Sequence, residues 1–180
     1  MAKKEDIIIA VDPDIERNGL AVLKTAAHRV SVFALPFAEC LERILLLVKA
    51  AKDEGQSVRV IVEAGWLNSA NWHFQRTDTR QKCVAIGRSV GMNHECGILL
   101  CEMLRYNGIE PMEYKPLEKH WQGIGRKITQ GEITQFIPHL PTRTNQEERD
   151  AALIAWVYAG LPIRINMNNE TKNQSRRQLP

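Results

Sequence analysis

Asp12 closes the apolar run Ile7 to Val11, Glu63 closes the run Val58 to Val62, and Glu147 and Asp150 lead into the small apolar segment Ala151-Ala152-Leu153. Carboxylates at the ends of apolar runs are drawn toward a core, where they cost free energy unless paired or bound to a cation. One chemistry uses such a set directly. Hydrolysis of a phosphodiester requires a water placed in line and charge stabilised on the attacking and leaving oxygens, and two divalent ions roughly 4 Å apart do both. Mg2+ is hard, seeks oxygen and keeps several waters, so the protein need supply three or four carboxylates and little else.

Each acid also has a plainer explanation. Asp12 could cap the turn at Asp12-Pro13-Asp14, and Glu63 could pair with a nearby Arg. Glu147 follows Thr144 by three residues, which is capping-box spacing, and acids in a first helical turn suit the helix dipole. Rival chemistries have weaker support. His28, His73, His94, His120 and His139 show no H-x-x-x-H or H-E-x-x-H spacing for zinc, and no Ser-His-Asp or Cys-His set is evident. Cys40, Cys83, Cys96 and Cys101 form no C-x-x-C pair and read as buried thiols in a reducing compartment.

The elements that must position the acids can be read in order. Ile7 to Val11 is a short β-branched run that fits a central buried strand, and Pro13 ends it. Leu20 to Lys24 and Arg29 to Ala34 follow after short connections, which implies an antiparallel meander. Leu41, Ile44, Leu45 and Val48 give residues Phe37 to Asp53 a helical apolar stripe, and Gly55 suits its end. Val58 to Glu63 is a fourth strand, parallel to its neighbour by the crossover rule. A loop over Ala64 to Asp78, a long helix from Thr79 to Tyr106, a fifth strand over Glu110 to Tyr114, and helices over Thr129 to Ile137 and Asn145 to Ala159 complete the chain. The expectation is an α/β fold with a five-stranded mixed sheet, its first three strands antiparallel and helices on both faces. If the first and fourth strands are neighbours, Asp12 and Glu63 emerge at one carboxyl edge, where open α/β sheets bind ligands. On the last helix Glu147 shares a face with Ala151, Ile154 and Tyr158, and Asp150 lies beside it, whereas Glu148 points about 100° away.

The 180 residues suit one domain, expected over 1–165, with a polar tail over 166–180. No stretch approaches the roughly 18 apolar residues that span a bilayer, and the N-terminus shows no leader pattern. A cytoplasmic protein without membrane contact is expected. The net charge is only +3, but Arg76, Arg80, Lys82 and Arg88 cluster, as do Lys115, Lys119, Arg126 and Lys127. Local basic patches of this kind suit a polyanion, although each alone could be a solvated face.

With these motifs in order, the chain resembles the RuvC-type Holliday-junction resolvases of the RNase H-like superfamily. The resemblance rests on Ile9-Ala10-Val11-Asp12-Pro13 followed by Gly19-Leu20-Ala21, on Val60 to Glu63 followed by Ala64-Gly65-Trp66, on Ala85-Ile86-Gly87-Arg88-Ser89-Val90-Gly91, and on Gln146 to Ala155 with its two acids three apart. It covers about residues 6 to 160. It implies an RNase H-like fold and a Mg2+-dependent endodeoxyribonuclease acting on branched DNA in recombination and repair. Asp12, Glu63, Glu147 and Asp150 would be catalytic and would hold two Mg2+ ions per site, with Mn2+ as a substitute. Trp66 would stack on an unpaired base, or else pack in the core. Lys119 would hold the scissile phosphate, with Arg76, Arg80, Lys82, Arg88 and Lys127 as further nucleic-acid contacts. A homodimer through the long helix is also implied.

The chain departs from the family pattern in places. Asp14 stands where a small residue is usual and could add a ligand. Glu147 stands where Asp or His is common. The loop after Glu63 is long and holds Trp72, His73 and Phe74. Other readings are another RNase H-like nuclease or mobile-element protein with a different DNA or RNA substrate, or a non-catalytic nucleic-acid-binding module. A sugar-kinase-like ATPase would need a second domain that a chain of 180 residues lacks.

Overall fold

Strand β1 (Ile7–Asp12) is apolar at every position but its last, and Ile7 to Val11 are all buried. A strand covered on both sides must lie inside a sheet. In the computed structural model, which describes residues 5–68 and 77–164, β1 pairs antiparallel with β2 (Asn18–Lys24) and parallel with β4 (Val58–Glu63). β3 (Arg29–Leu35) flanks β2, and β5 (Met112–Tyr114) flanks β4, giving the order β3-β2-β1-β4-β5. The sheet is mixed and five-stranded, with its first three strands antiparallel.

Alternate residues of the strands face opposite layers. Ile7, Ile9, Val11, Val60 and Val62 pack with Cys40, Ile44 and Val48 of α1 (Phe37–Asp53) and with Leu100, Cys101 and Leu104 of α2 (Arg80–Tyr106). Ile8, Ala10, Ala21, Leu23 and Ile61 pack with Ala151, Ile154 and Ala155 of α4 (Gln146–Tyr158) and with Ile133 and Ile137, at and just beyond the short α3 (Gln130–Ile133). Helices therefore cover both faces. No helix among the described residues is long and apolar enough to cross a membrane.

β5 and α3 are clearly shorter than the sequence predicts, and α2 and α4 differ from it by one residue at one or both ends. β5 begins at Met112 rather than Glu110, because Pro111 has no N–H to give to a ladder. α3 ends at Ile133, where the Thr134 hydroxyl donates to the Gln130 carbonyl at 2.8 Å and competes with the helical pattern. The cysteines are free thiols, with Cys40, Cys96 and Cys101 buried and Cys83 partly so. Burial pushes the Cys40 and Cys101 thiols up to about 12. The polar tail over 166–180 lies outside the described residues.

Candidate active site

The parallel pairing of Val11 with Val62 brings the next residues, Asp12 and Glu63, level at the carboxyl edge of the sheet. The Glu63 carboxylate adds its charge to the surroundings of Asp12. Gly19 lies opposite Asp12 in β2. The first turn of α4 rests on it so closely that a methyl group built there would overlap the Glu147 carbonyl. The bare glycine thus lets α4 descend onto the strand ends and carries Glu147 and Asp150 to the edge that holds Asp12 and Glu63.

Glu147 is not engaged in capping. The N-cap of α4 is Asn145, whose side chain accepts from the Glu148 amide at 2.8 Å while Glu148 accepts from the Asn145 amide at 2.8 Å. The Thr144 hydroxyl donates instead to the Gln130 side-chain oxygen. Glu148 does the capping and Glu147 is left for the sheet edge. Asn145 stands three residues before Glu148, so this pattern was available in the sequence as well.

Asp150 is held on both oxygens. Its Oδ1 accepts from Gln146 Nε2 at 2.8 Å, and its Oδ2 lies 3.2 Å from Lys127 Nζ. Arg149 orients Gln146 by donating to its Oε1 at 2.9 Å, and also donates to the Ile128 carbonyl at 3.1 Å and to the Thr144 carbonyl. The Gln146–Asp150 and Gln146–Arg149 contacts have the i,i+4 and i,i+3 spacing of helix neighbours, whereas the contacts with the Ile128 carbonyl depend on a loop packed against the helix.

The electrostatics follow from this crowding. Burial pushes the Asp12 carboxyl well above its ordinary range, Glu63, Asp150 and Glu147 push it further, and Lys127 opposes them. Glu63 is raised first by burial and then by Asp150, against Lys119 and Lys127. For Lys127, burial disfavours the ammonium, but Asp150, Asp12 and Glu147 outweigh it and the group is held above its usual value. Glu63 has lysines rather than an arginine as its cationic neighbours. Four carboxylates opposed by the two lysines Lys119 and Lys127 suit a hard divalent cation in donor type and in charge. Among the described residues no group of three or more His, Cys, Asp or Glu side chains is already gathered as a metal site.

The other candidates lie apart from the acids. Asp14 faces α2. Its Oδ1 accepts from the Glu16 and Arg17 amides at 2.8 and 3.3 Å, and its Oδ2 accepts from Asn93 Nδ2 at 2.9 Å. It pins the Asp12-Pro13-Asp14 turn to the long helix. Trp66, in a 3-10 turn over Gly65–Leu67, is partly buried against the layer of α1 and α2. Its ring lies so near Gly97 that a methyl there would sit 2.5 Å from it, and its indole N–H donates to Glu113 at 3.0 Å. Arg80, Lys82 and Arg88 are exposed on the first half of α2. Lys82 pairs with Asp78 at 2.5 Å. Arg80 is about 25 Å along the helix axis from Gly97, where α2 passes Pro13, at 1.5 Å per residue. Arg80 and Arg88 line an open groove with Val84 and Met92. Arg76, Trp72, His73 and Phe74 lie outside the described residues.

The chain matches no protein-family model and no curated protein. Among solved structures it is similar to T. thermophilus RuvC in complex with a Holliday junction substrate, at 16% identity and a TM-score of 0.43, over 85% of this chain and 92% of that one. A likeness this loose assigns neither a substrate nor the role of any residue.

Proposed function

We propose that this chain is a metal-dependent endonuclease of RNase H-like architecture that cuts phosphodiester bonds in branched DNA. The observation that carries the reading is the convergence of Asp12, Glu63, Glu147 and Asp150 on one sheet edge, with Lys119 and Lys127 beside them. The sequence resemblance supports the branched substrate.

In this reading Asp12, Glu63, Glu147 and Asp150 form the carboxylate set that surrounds Mg2+, with Mn2+ as a substitute. The bound metal would supply Lewis-acid stabilisation of the phosphate and an activated water. The chain's own residues do the remaining work. Gln146 and Arg149 hold Asp150 in place. Lys119, which lines a small cleft with Glu63 and Asp150, draws the scissile phosphate toward the acids. Arg80, Lys82 and Arg88 extend the contact with the DNA backbone along α2, and Arg76, outside the described residues, is a further candidate contact. The contacts of Trp66 favour packing over base stacking as its first role. A homodimer through α2 and a cytoplasmic setting go with the reading.

The test is cleavage of a labelled four-way junction beside a matched linear duplex, with and without Mg2+. Paired nicks in the junction alone, and only with metal, are expected. Equal cutting of all substrates would keep the metal site and remove junction specificity, as another RNase H-like nuclease or mobile-element protein would. Salt-dependent binding without cutting would replace the reading with a non-catalytic nucleic-acid-binding module.

A further inference from the structure

We infer that Lys127 is a built-in cation of the carboxylate cluster, filling one of the two positive positions of a two-ion site, so that this chain takes a single divalent ion. The inference rests on the nuclease reading above and concerns how its site is charged.

The first observation is the state of Asp150. Both of its oxygens are engaged, Oδ1 by Gln146 at 2.8 Å and Oδ2 by Lys127 at 3.2 Å. An ion shared between Asp150 and the other acids would have to compete with a cation already in place. The second is coverage. The Asp150 side chain is 15% exposed and that of Lys127 33%, and Lys127 also lies close enough to Asp12 and Glu147 to interact with both charges. It serves the cluster rather than one partner.

The third observation separates this pair from an ordinary surface salt bridge, which contributes little because two long side chains must be ordered to make it. Here both ends are fixed by the fold. The Gly123 amide donates to the Lys127 carbonyl at 2.9 Å, and the Trp121 amide donates to the Arg126 carbonyl at 3.1 Å, closing the turn that carries the lysine. The next residue, Ile128, is buried, and its carbonyl accepts from Gln146 at 3.3 Å and Arg149 at 3.1 Å. Gln146 therefore holds Asp150 and the Lys127 loop at once. Lys119, by contrast, makes no ion pair among the described residues and remains available to a phosphate.

With Asp150 committed to Lys127, Asp12, Glu63 and Glu147 remain as ligands. That is a usual complement for one Mg2+, which keeps waters in its other positions, and a sparse one for two. Before any substrate arrives, one divalent ion with Lys119 and Lys127 supplies the four positive charges that four carboxylates require.

The experiment counts Mn2+ bound per full-length chain by equilibrium dialysis and reads the ion's electron paramagnetic resonance spectrum. No DNA is needed. The wild type is expected to bind one Mn2+ with the spectrum of an isolated ion, and Lys127→Arg, which keeps the charge, to do the same. Lys127→Met is expected to bind a second Mn2+ and to show the spin coupling of ions about 4 Å apart. A wild type that binds two coupled ions would overturn the inference, as would a folded Lys127→Met chain that still binds one. If Lys127→Met fails to fold, Lys127→Gln takes its place, and the wild-type count alone still decides against the inference if it is two. Absence of binding in every form would remove the nuclease reading itself, and the inference with it.

Discussion

Glu63 and Glu113 lie on neighbouring strands, one residue out of step, yet their surroundings are opposite. Glu63 pairs in register with Tyr114, and Glu113 with Val62. Glu113 accepts from Arg105 at 2.6 Å and from the Trp66 indole at 3.0 Å, and these two bonds hold its carboxyl below the ordinary range. Glu63 faces burial and Asp150, and is held above that range. The same division runs across the turn after β1, where Asp14 is satisfied by turn amides and Asn93 while Asp12 is crowded by other acids. Acids on the α2 side are answered within the protein and hold the fold. On the α4 side only Asp150 is answered, by Lys127 and Gln146, and the remaining acids are left in excess, which stabilises nothing until a further cation joins them.

The largest effect should come from neutralising one of the acids on the α4 side. Asp12→Asn is expected to cut junction cleavage by on the order of a thousandfold or more, and Glu63→Gln and Asp150→Asn to do the same. In metal-free buffer Asp12→Asn should also raise the melting temperature, since a crowded charge is removed. A variant that keeps full activity, or that melts well below wild type, would break the division between the two groups of acids.

Gly19→Ala comes next. The added methyl meets the backbone of Glu147 rather than a movable side chain, so α4 must shift. A loss of roughly 1–3 kcal/mol by urea denaturation is expected, with cleavage falling in parallel as Glu147 and Asp150 leave the edge. Unchanged stability would mean that the close approach of α4 is not what places them.

The pH dependence should have opposite signs on the two sides. Asp12 and Glu63 have raised values in the folded chain, so their contribution to stability is full below the ordinary carboxylate range and declines as pH rises through those raised values. Glu113 has a lowered value, so its contribution is present above the ordinary range and is lost as pH falls through that lowered value. Melting curves against pH in chelator should show Asp12→Asn flattening the decline toward neutral pH and Glu113→Gln flattening the loss in acid.

The smallest effect is Glu113→Gln itself at neutral pH. The amide keeps an acceptor for Trp66 and loses only a partly exposed ion pair with Arg105, worth about 0.5 kcal/mol. Cleavage should stay at the wild-type level, and a large loss would move Glu113 into the functional group of acids.

Much of this was legible in the chain. Periodicity gave α1 its observed bounds and α2 to within one residue, because a stripe of apolar side chains on a helix is a local property of spacing. The level placement of Asp12 and Glu63 followed from two apolar runs ending in acids and a parallel crossover between them. The helical wheel separated Glu147 from Glu148, although the cap that occupies Glu148 comes from Asn145 and not from Thr144.

The rest was decided by the tertiary structure. Asp14 reaches Asn93 across 79 residues of chain, and Trp66 reaches Glu113 across 47. Lys127 meets Asp150 only because an irregular loop is tied to the first turn of α4. None of these pairings has a period that spacing could reveal, since each depends on the path of a connection and on which small residue, Gly19 or Gly97, lets two elements come close. The sequence by itself determined where negative charge would collect, because strand ends and helix faces are set by local pattern. Which of the acids would be neutralised from within was settled by packing, which brings distant residues within a few ångströms, the range over which a charge is strongly felt.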